Sequence, residues 1–305
     1  MKKILIIYYS QTGQLRRIID SITNPFEKDF ELVFEELKPV PAFPFPWNGM
    51  PFFQAFPESV KEIPCELEPF KCDLDKDYDL VILAYPVWYL SPCIPISAFL
   101  QHPDARQILY GKPVITILGV RNMWIMAQEQ VKARIAEAGG LLAGNVVLTD
   151  PAPNLVSVIT IVRWMMSGEK GAFRKFGKQF PPAGVPEKDI LNASRFGEII
   201  VKHLQMNSLE GLQPDLLASG AVPVDTVLFN IEKRGKIMFG IWAKMILKKG
   251  GYGDPGREGR LKLFKYYLFT VIYLISPLVA GIFRLTSYLN PRAAGRIIDR
   301  YSQVK

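Results

Sequence analysis

A regular alternation between short apolar runs and segments of helical spacing constrains this chain more than any other feature. The first run, residues 3–9 (Lys-Ile-Leu-Ile-Ile-Tyr-Tyr), stops at a polar Ser-Gln-Thr-Gly turn. An unbroken apolar run of this kind indicates a strand buried on both faces, as in parallel sheets. We predict strands at residues 3–9, 31–37, 79–85, 113–119 and 142–149, and helices at residues 15–22, 94–100, 123–138 and 190–204. This order predicts an α/β fold with a doubly wound parallel sheet.

Two insertions interrupt the alternation, at about residues 39–70 and 151–187. Residues 39–57 contain six prolines, five phenylalanines and Trp47, a composition that predicts an apolar flap without regular helix or sheet. The second insertion contains a largely apolar run at residues 155–166, followed by a segment rich in Gly, Lys and Pro. Each insertion can either line a substrate pocket or simply cover the core.

The turn after the first strand has the composition of an anion site. Ser10-Gln11-Thr12-Gly13-Gln14 offers two hydroxyl groups and a series of backbone N–H groups at the positive end of a helix dipole. Gly13 permits close approach of a phosphate to the backbone. A capped helix start without any ligand would show the same residues, so this alternative stays open.

Two further polar and aromatic loops follow strands of the same sheet. The predicted third strand ends in Pro86-Val87-Trp88-Tyr89, and the fourth is followed by Gly119-Val-Arg-Asn-Met-Trp124. Ligands of open α/β sheets bind at the carboxyl ends of the strands, where all three loops lie. A planar ring can stack on Trp88 or Tyr89 there, although two core aromatic residues are the simpler interpretation. The cofactor candidates outside the first turn are Pro86, Val87, Trp88, Tyr89, Gly119, Arg121, Asn122 and Trp124.

In these motifs, the chain resembles the flavodoxin and FMN-dependent reductase superfamily over about residues 1–206. The resemblance implies a five-stranded parallel sheet of order 2-1-3-4-5. It also implies FMN as cofactor, with its phosphate held by residues 10–14 and its ring flanked by Trp88, Tyr89 and the loop containing Asn122. One departure is Leu15, which stands in the cofactor turn where a hydroxyl residue is usual and is followed by Arg16 and Arg17.

The remaining residues, 207–305, form an extension that carries the whole charge excess of the chain. It contains 15 Lys and Arg against 7 Asp and Glu, whereas the first 206 residues are balanced. A helical stripe of Lys236, Gly240, Lys244 and Lys248 opposes an apolar face, as in interfacial helices. Residues 266–283 follow as 18 uncharged residues, interrupted by Pro277 and Gly281.

This extension predicts a helical, basic, membrane-associated segment that meets anionic phospholipid, in a peripheral or monotopic position on the cytoplasmic side of the inner membrane. A helical cap on the flavodoxin unit is the alternative. Nucleic acid is not expected as a partner, because the basic residues alternate with bulky aliphatic ones. The three cysteines, Cys65, Cys72 and Cys93, have no CxxC spacing and only two histidines accompany them, so no metal site is predicted.

A membrane-seated flavoprotein with Pro/Phe-rich flaps suggests a hydrophobic ring substrate. The chain is more specifically similar to the flavodoxin-like "dialkylresorcinol condensing enzymes", in its length, its Tyr-Tyr-Ser-Gln-Thr-Gly-Gln start and its tail. That resemblance implies FMN-dependent aromatisation of an alkylated cyclohexanedione to a dialkylresorcinol, with a ketosynthase or acyl carrier protein as partner. Tyr89, Arg121 and His102 are the candidate catalytic residues. The alternatives are an NAD(P)H:quinone reductase or electron carrier, with NAD(P)H as electron source, and a non-catalytic membrane-tethered scaffold.

Overall fold

A computed structural model describes residues 1–26, 29–175 and 177–304. Its main sheet has five parallel strands in the order β2-β1-β5-β8-β9, which confirms the predicted doubly wound, flavodoxin-like order. The strands of the described chain are β1 (Lys2–Tyr8), β2 (Phe30–Glu36), β3 (Pro39–Val40), β4 (Glu66–Leu67), β5 (Leu80–Tyr85), β6 (Val87–Trp88), β7 (Ser91–Pro92), β8 (Pro113–Val120), β9 (Leu141–Thr149), β10 (Phe173–Lys175) and β11 (Lys178–Phe180). The shorter strands form three antiparallel pairs outside this sheet.

The α-helices connect the strands and continue into the extension. They are α1 (Gln14–Thr23), α2 (Met50–Gln54), α3 (Phe56–Lys61), α4 (Ile94–Gln101), α5 (Pro103–Leu109), α6 (Ile125–Glu137), α7 (Asn154–Ser167), α8 (Glu187–Leu191), α9 (Ser194–Gln205), α10 (Leu212–Ala218), α11 (Thr226–Leu247), α12 (Glu258–Thr270), α13 (Ser276–Leu289) and α14 (Pro291–Ser302). Short 3₁₀ turns occupy Asn24–Phe26 and Pro255–Arg257, and a π-helical turn, Val271–Ile275, joins α12 to α13. The helix predicted over residues 190–204 is divided into α8 and α9.

Alternation along the strands builds a separate core on each face of the sheet. Ile4 and Ile6 point to a cluster closed by α1, α9 and α10, whereas Leu5 and Ile7 point to a cluster closed by α4, α5 and α6. Leu212 and Leu216 of α10 belong to the first cluster, so the core of the sheet continues past residue 206. The division into units 1–206 and 207–305 stays a prediction.

The first insertion corrects the expectation that residues 39–57 contain no regular structure. β3 pairs with β4, and the helices α2 and α3 lie between these two strands in the chain. Their prolines, Pro51 and Pro57, occupy the first turn of each helix, where a missing N–H group costs no hydrogen bond. The apolar run of the second insertion forms α7, and the segment after it forms the β10–β11 hairpin.

The extension packs on the first insertion as well as on the sheet, where Phe229 of α11 belongs to the cluster that contains Leu5 and Ile7. Phe56 of α3 stacks on Phe264 of α12 at 3.7 Å between ring centroids, within a cluster that also contains Ala243 and Ile246 of α11. A buried ion pair also joins the extension to the first insertion. Arg257 donates to both carboxylate oxygens of Glu58, on α3, at 2.6 and 2.8 Å. The extension is therefore anchored to the flap by packing and by charge.

The predicted interfacial stripe on α11 requires correction, because Lys236 is turned toward the sheet domain. Its ammonium group donates to the carbonyl of Leu90 and to Gln130 Oε1 at 3.1 and 2.6 Å. On the outer side, Ile237, Met238, Ile241 and Met245 are exposed. These residues give α11 an apolar surface that no described element covers.

Residues Pro255–Leu289 form one helical stretch of 35 residues. Its most apolar window of 18 residues has a mean hydropathy of 2.0, and 6% of that window is buried inside the protein. By length and composition this stretch can cross a membrane. The π-helical turn lies just before Pro277, whose ring removes one backbone donor from the helix.

Candidate functional site: an apolar cavity at the carboxyl edge of the sheet

The turn between β1 and α1 is open toward its surroundings. Gly13 has a φ of 77°, in the left-handed region that glycine adopts without strain, and no heavy atom lies within 4 Å of the position its Cβ would take. The first helical hydrogen bond of α1 runs from Arg17 N to Gly13 O. Within the described residues, the backbone N–H groups of Gln11, Thr12 and Leu15 have no acceptor, and neither has that of Gly13. These amides form a set of free donors at a helix N-terminus.

The side chains of this turn hold its shape. Ser10 Oγ accepts from Arg16 N at 3.2 Å, and Thr12 Oγ1 accepts from Gln14 N at 3.4 Å. The amide of Gln14 makes two hydrogen bonds with the backbone of Val185, at 3.0 and 3.1 Å. Gln14 therefore fixes the loop at residues 184–185 beside the turn.

Arg16 and Arg17 follow Leu15, which replaces the usual hydroxyl residue, and both arginines pair with acidic residues. Arg16 donates to the Tyr8 hydroxyl at 2.8 Å and pairs with Asp20 at 2.7 Å. Arg17 pairs with Glu187. Leu15 itself lines the cavity described below. The groups of this turn that remain available to an anion are therefore the backbone amides and the hydroxyl groups of Ser10 and Thr12.

The aromatic loop is a tight hairpin, with Tyr89 and Leu90 between β6 and β7. Both turn residues have positive φ, 49° and 60°, although neither is glycine. Such a turn costs roughly 1–3 kcal/mol per residue and persists only when its surroundings hold it. Tyr89 donates to the Phe52 carbonyl at 2.5 Å, and Ser59 Oγ donates to the Trp88 carbonyl at 2.9 Å. The first insertion thus holds the strained hairpin in place from outside.

A cavity of about 230 Å³ lies between the turn, the hairpin and the end of β8. Its walls are predominantly apolar, and they come from three strand-end loops and from both insertions. The predicted residues that line it are Ser10, Gln11, Thr12, Gln14, Leu15, Pro86, Val87, Trp88, Tyr89, Gly119 and Arg121. At Gly119 a Cβ would lie 2.8 Å from Ile18 Cδ1 and 3.3 Å from Leu15 Cδ1, so α1 packs closely on β8 at this position.

The cavity also has a roof that the sequence pattern did not reveal. Trp47 and Phe52 reach it from the first insertion, and α7 contributes Trp164 from the second. The unpredicted lining residues are Trp47, Phe52, Val120, Ile161, Val162, Trp164, Met165 and Gly184. Both insertions therefore line the pocket, an outcome that the aromatic composition of the first and the apolar run of the second had left open.

Arg121 brings a positive charge to one wall of this apolar space. Its guanidinium donates to Asn154 Oδ1 at 2.6 Å and to Ser157 Oγ at 3.1 Å, both on α7. Burial lowers the pKa of Arg121 to about 10, and the nearby charges of Asp150 and Glu232 oppose that shift. The group stays cationic at neutral pH.

Asn122, His102 and Trp124 are not among the residues that line the cavity. Asn122 donates to Asn154 Oδ1 at 3.0 Å, and its own Oδ1 is buried without a partner in the described residues. His102 caps α5 by accepting from Asp104 N, and its ring packs on Phe70. The indole of Trp124 is buried in the sheet core and donates to the Pro223 carbonyl at 3.3 Å. These placements correct the expectation that His102 and Trp124 belong to the site.

Tyr89 is placed at the site but is poorly suited to transfer a proton. Its hydroxyl is committed to the Phe52 carbonyl, and burial raises its pKa well above the ordinary value. Arg121 and Tyr89 are the only residues among the described cavity lining that carry an ionisable side chain. The walls therefore bind and orient rather than exchange protons.

A second pair of titratable groups lies behind the hairpin. Glu232 of α11 is buried and accepts from Met126 N at 2.8 Å, at the start of α6. Burial raises its pKa to about 7 against the lowering effect of that hydrogen bond. Burial also lowers the pKa of Lys236 to about 8. The extension thus places buried charges against the sheet domain.

Solved structures with a similar fold cover part of this chain. A flavoprotein from Lactobacillus acidophilus NCFM in complex with FMN is 20% identical, over 48% of this chain and 93% of its own, with a TM-score of 0.40. Flavodoxin 1 from Bacillus cereus is 16% identical, over 66% and 99%, with a TM-score of 0.35. A Fusobacterium nucleatum flavodoxin bound to flavin mononucleotide is 12% identical, over 67% and 99%, with a TM-score of 0.32. At these values the similarity describes the fold alone.

No protein-family model matches the chain, and no curated protein matches its sequence.

Proposed function

We propose that this protein is an FMN-dependent oxidoreductase that acts on a hydrophobic ring substrate at a membrane surface. The observation that carries the proposal is the set of free backbone amides of residues 11, 12, 13 and 15, which opens into the apolar cavity beside Trp88 and Tyr89. Free amides at a helix N-terminus suit a phosphate, and a predominantly apolar space with aromatic walls suits a flavin ring. The donor set fits a mononucleotide without any lysine.

FMN, when bound, supplies a centre that accepts or gives a hydride. The protein's own residues would do the rest. Residues 11–15 would hold the phosphate, Trp88 would pack against the ring, and Arg121 would face the developing negative charge. The roof formed by Trp47, Phe52 and Trp164 would exclude water from the reacting atoms.

For the substrate we propose an alkylated cyclohexanedione that is oxidised to a resorcinol. The ring loses one hydride and one proton in that reaction, and a membrane quinone or dioxygen would then reoxidise the flavin. A 1,3-dione is itself acidic, so its enolate needs a counter-ion more than a base. Arg121 is a half-buried cation in an otherwise apolar wall and suits that role.

The cysteines favour oxidation over condensation. A condensing enzyme requires a thiolate nucleophile. Burial raises the pKa of Cys65 to about 11 and that of Cys72 to about 12, and it raises the pKa of Cys93 further. None of the three cysteines is therefore activated, although a ketosynthase or an acyl carrier protein remains a proposed partner.

We propose further that the extension seats the protein on anionic phospholipid on the cytoplasmic side of the inner membrane. The exposed apolar residues of α11 and of the stretch Pro255–Leu289 support this proposal. Basic residues flank the uncharged residues 266–283 on both sides, at Arg260 and Lys262 before them and Arg292 and Arg296 after them. Flotation with liposomes that contain phosphatidylglycerol, against liposomes of phosphatidylcholine alone, tests the placement.

The test of function is the absorption spectrum of the full-length protein after incubation with FMN, followed by assay with a 2,5-dialkylcyclohexane-1,3-dione. We expect a yellow 1:1 complex that is bleached by the dione under anaerobic conditions. Rapid oxidation of NADPH without any dione would instead favour the quinone reductase. A protein that takes up no FMN would favour the scaffold. The roofed cavity disfavours a carrier, which needs an exposed flavin edge.

A further inference from the structure

A second groove adjoins the cavity on the far side of α7. Its volume is about 610 Å³, and it lies between α7, the β10–β11 hairpin and the apolar helical stretch. The residues that line it are Ile159, Val162, Arg163, Met166, Ser167, Phe173, Arg174, Lys175, Phe180 and Tyr273. Aliphatic and aromatic groups form its floor, and the charged groups come from the rim residues Arg163, Arg174 and Lys175.

This groove and the cavity share a wall. Val162 lines both spaces, and its neighbours along α7 alternate between them, with Ile161 and Met165 on the cavity side and Ile159 and Met166 on the groove side. The separation is therefore one layer of aliphatic side chains. Such side chains change rotamer readily, and Met166 in particular adapts to irregular space.

The groove opens toward the surface that we assign to the membrane. Tyr273, one of its lining residues, lies in the π-helical turn of the exposed apolar stretch. The basic rim stands beside that opening, where Arg163 pairs with Glu169 and lies over the Phe173 ring at 4.4 Å. A basic rim around an apolar slot is the pattern expected at the level of anionic headgroups.

We propose that the groove binds the alkyl tail of the ring substrate, which enters from the lipid past Tyr273 while its ring occupies the cavity. This inference rests on the proposed function and names its substrate class: an amphiphile with a long unbranched chain, not a free soluble ring. The tail lies across Val162, and the basic rim contacts the surrounding phospholipid headgroups.

The experiment measures how affinity depends on chain length. Full-length protein in phosphatidylglycerol-containing nanodiscs is titrated by calorimetry with 5-alkylresorcinols from propyl to undecyl, with and without FMN. Each methylene that enters an apolar groove should lower Kd by about fourfold. Because longer chains also partition into lipid, every value is compared between variants at the same chain length.

Ile159→Trp fills the groove without touching the cavity, and Val156→Trp is the matched control, because Val156 lines a different pocket one turn earlier on α7. We expect the wild type and the control to gain affinity along the series and Ile159→Trp to stop gaining beyond the short chains, with FMN binding equal in all three. Equal chain-length dependence in all three proteins, as expected if a lipid acyl chain occupies the groove, would overturn the proposal. Absence of FMN binding by the wild type would instead refute the proposed function. The titrations without FMN would still decide whether the groove binds the alkyl chain.

Discussion

The floor and the roof of the cavity are built in different ways. The floor consists of the turns after β1, β5 and β8, which the parallel sheet brings to one edge whatever their loops contain. The roof consists of Trp47, Phe52 and α7, which lie in insertions and reach the site through contacts with distant parts of the chain. The floor is thus part of the fold, whereas the roof depends on the extension that anchors it. We expect chemistry common to the fold to depend on the floor and substrate choice to depend on the roof.

We expect the largest effect from breaking the Glu58–Arg257 ion pair, which anchors the first insertion and therefore the roof of the cavity. Glu58→Gln leaves Arg257 buried without a full counter-ion, so we expect the free energy of unfolding to fall by about 3–5 kcal/mol. Hydrogen exchange should accelerate in α2, α3 and α12 before it does in β1 and β5. Chemical denaturation combined with hydrogen exchange measures both effects.

The double variant Glu58→Leu with Arg257→Met is the control for this prediction. It replaces the buried pair by apolar groups of similar size, so most of the lost stability should return. Uniform acceleration of exchange across sheet and flap would show that floor and roof unfold as one unit, contrary to our comparison.

The next effect concerns the floor alone. Gly13→Val places a β-branched residue at a φ of 77°, and the strain should raise the Kd for FMN roughly 10- to 100-fold. Gly220→Val is matched to it, because Gly220 has a φ of 78° with open space around it, far from the cavity. Fluorescence titration with FMN compares them. Equal affinities in the two variants would mean that the turn does not hold the cofactor.

These two regions also differ in how far the sequence predicts them. The strands and the open turn at Gly13 follow from local patterns, because a buried parallel strand must be apolar along its whole length. The order of the strands is implied by the resemblance to flavodoxins. Residues 47 and 164 show no such pattern. Their aromatic side chains are compatible with core, flap or interface, and the contacts that decide between these are far apart in the chain. The prolines of the first insertion wrongly predicted a segment without helices for a similar reason. A proline in the first turn of a helix and a proline that breaks a helix cannot be distinguished from the local sequence.

A third prediction tests the contact between the extension and the floor through pH. The pKa of Glu232 is raised to about 7 in the folded protein from an ordinary value of 4.5. The folded state therefore binds more protons between these values, and stability should decline as pH rises from 4.5 to 7, by about 1–3 kcal/mol. Glu232→Gln should remove this decline in urea unfolding measured at pH 5 and pH 7. If the free energy of unfolding of Glu232→Gln still fell between pH 5 and pH 7, another group would be its cause.

Lys236, the charged neighbour of Glu232 on α11, acts in the opposite sense at higher pH. Its pKa is lowered to about 8 from 10.5, so the unfolded state binds more protons above pH 8. Stability should therefore rise again from pH 8 to pH 10.5. A minimum between pH 7 and pH 8 in the wild type, lost in the Glu232→Gln and Lys236→Met double variant, would confirm that this pair is the cause.

The smallest effect concerns the charge that joins floor to roof. Arg121→Met removes a half-buried cation held by Asn154 and Ser157, and we expect the midpoint potential of bound FMN to fall by about 30–60 mV. Arg195→Met, on the outer surface over Phe196, is the control and should leave the potential unchanged. Dye-coupled titration measures both. An equal potential in all proteins would mean that Arg121 holds α7 and nothing more.

His102 and Trp124 show the limit of predicting site residues from their position near the carboxyl ends of strands. Both lie near predicted site segments, yet one caps α5 on the outside and the other fills the core. Helix periodicity places a residue on a face, but the rotation of that face relative to the ligand is set by packing. Tyr89, by contrast, lines the cavity, although its commitment to Phe52 depends on the first insertion.

The central claim is that backbone amides at residues 11–15 hold a phosphate. Calorimetric titration of the full-length protein with FMN and, separately, with riboflavin tests it directly, because the two ligands differ only in that group. Several charge-assisted hydrogen bonds of about 1.5–3 kcal/mol each predict that FMN binds at 1:1 and at least ~100-fold more tightly. Equal affinity for the two flavins, or no binding of FMN, would contradict the account.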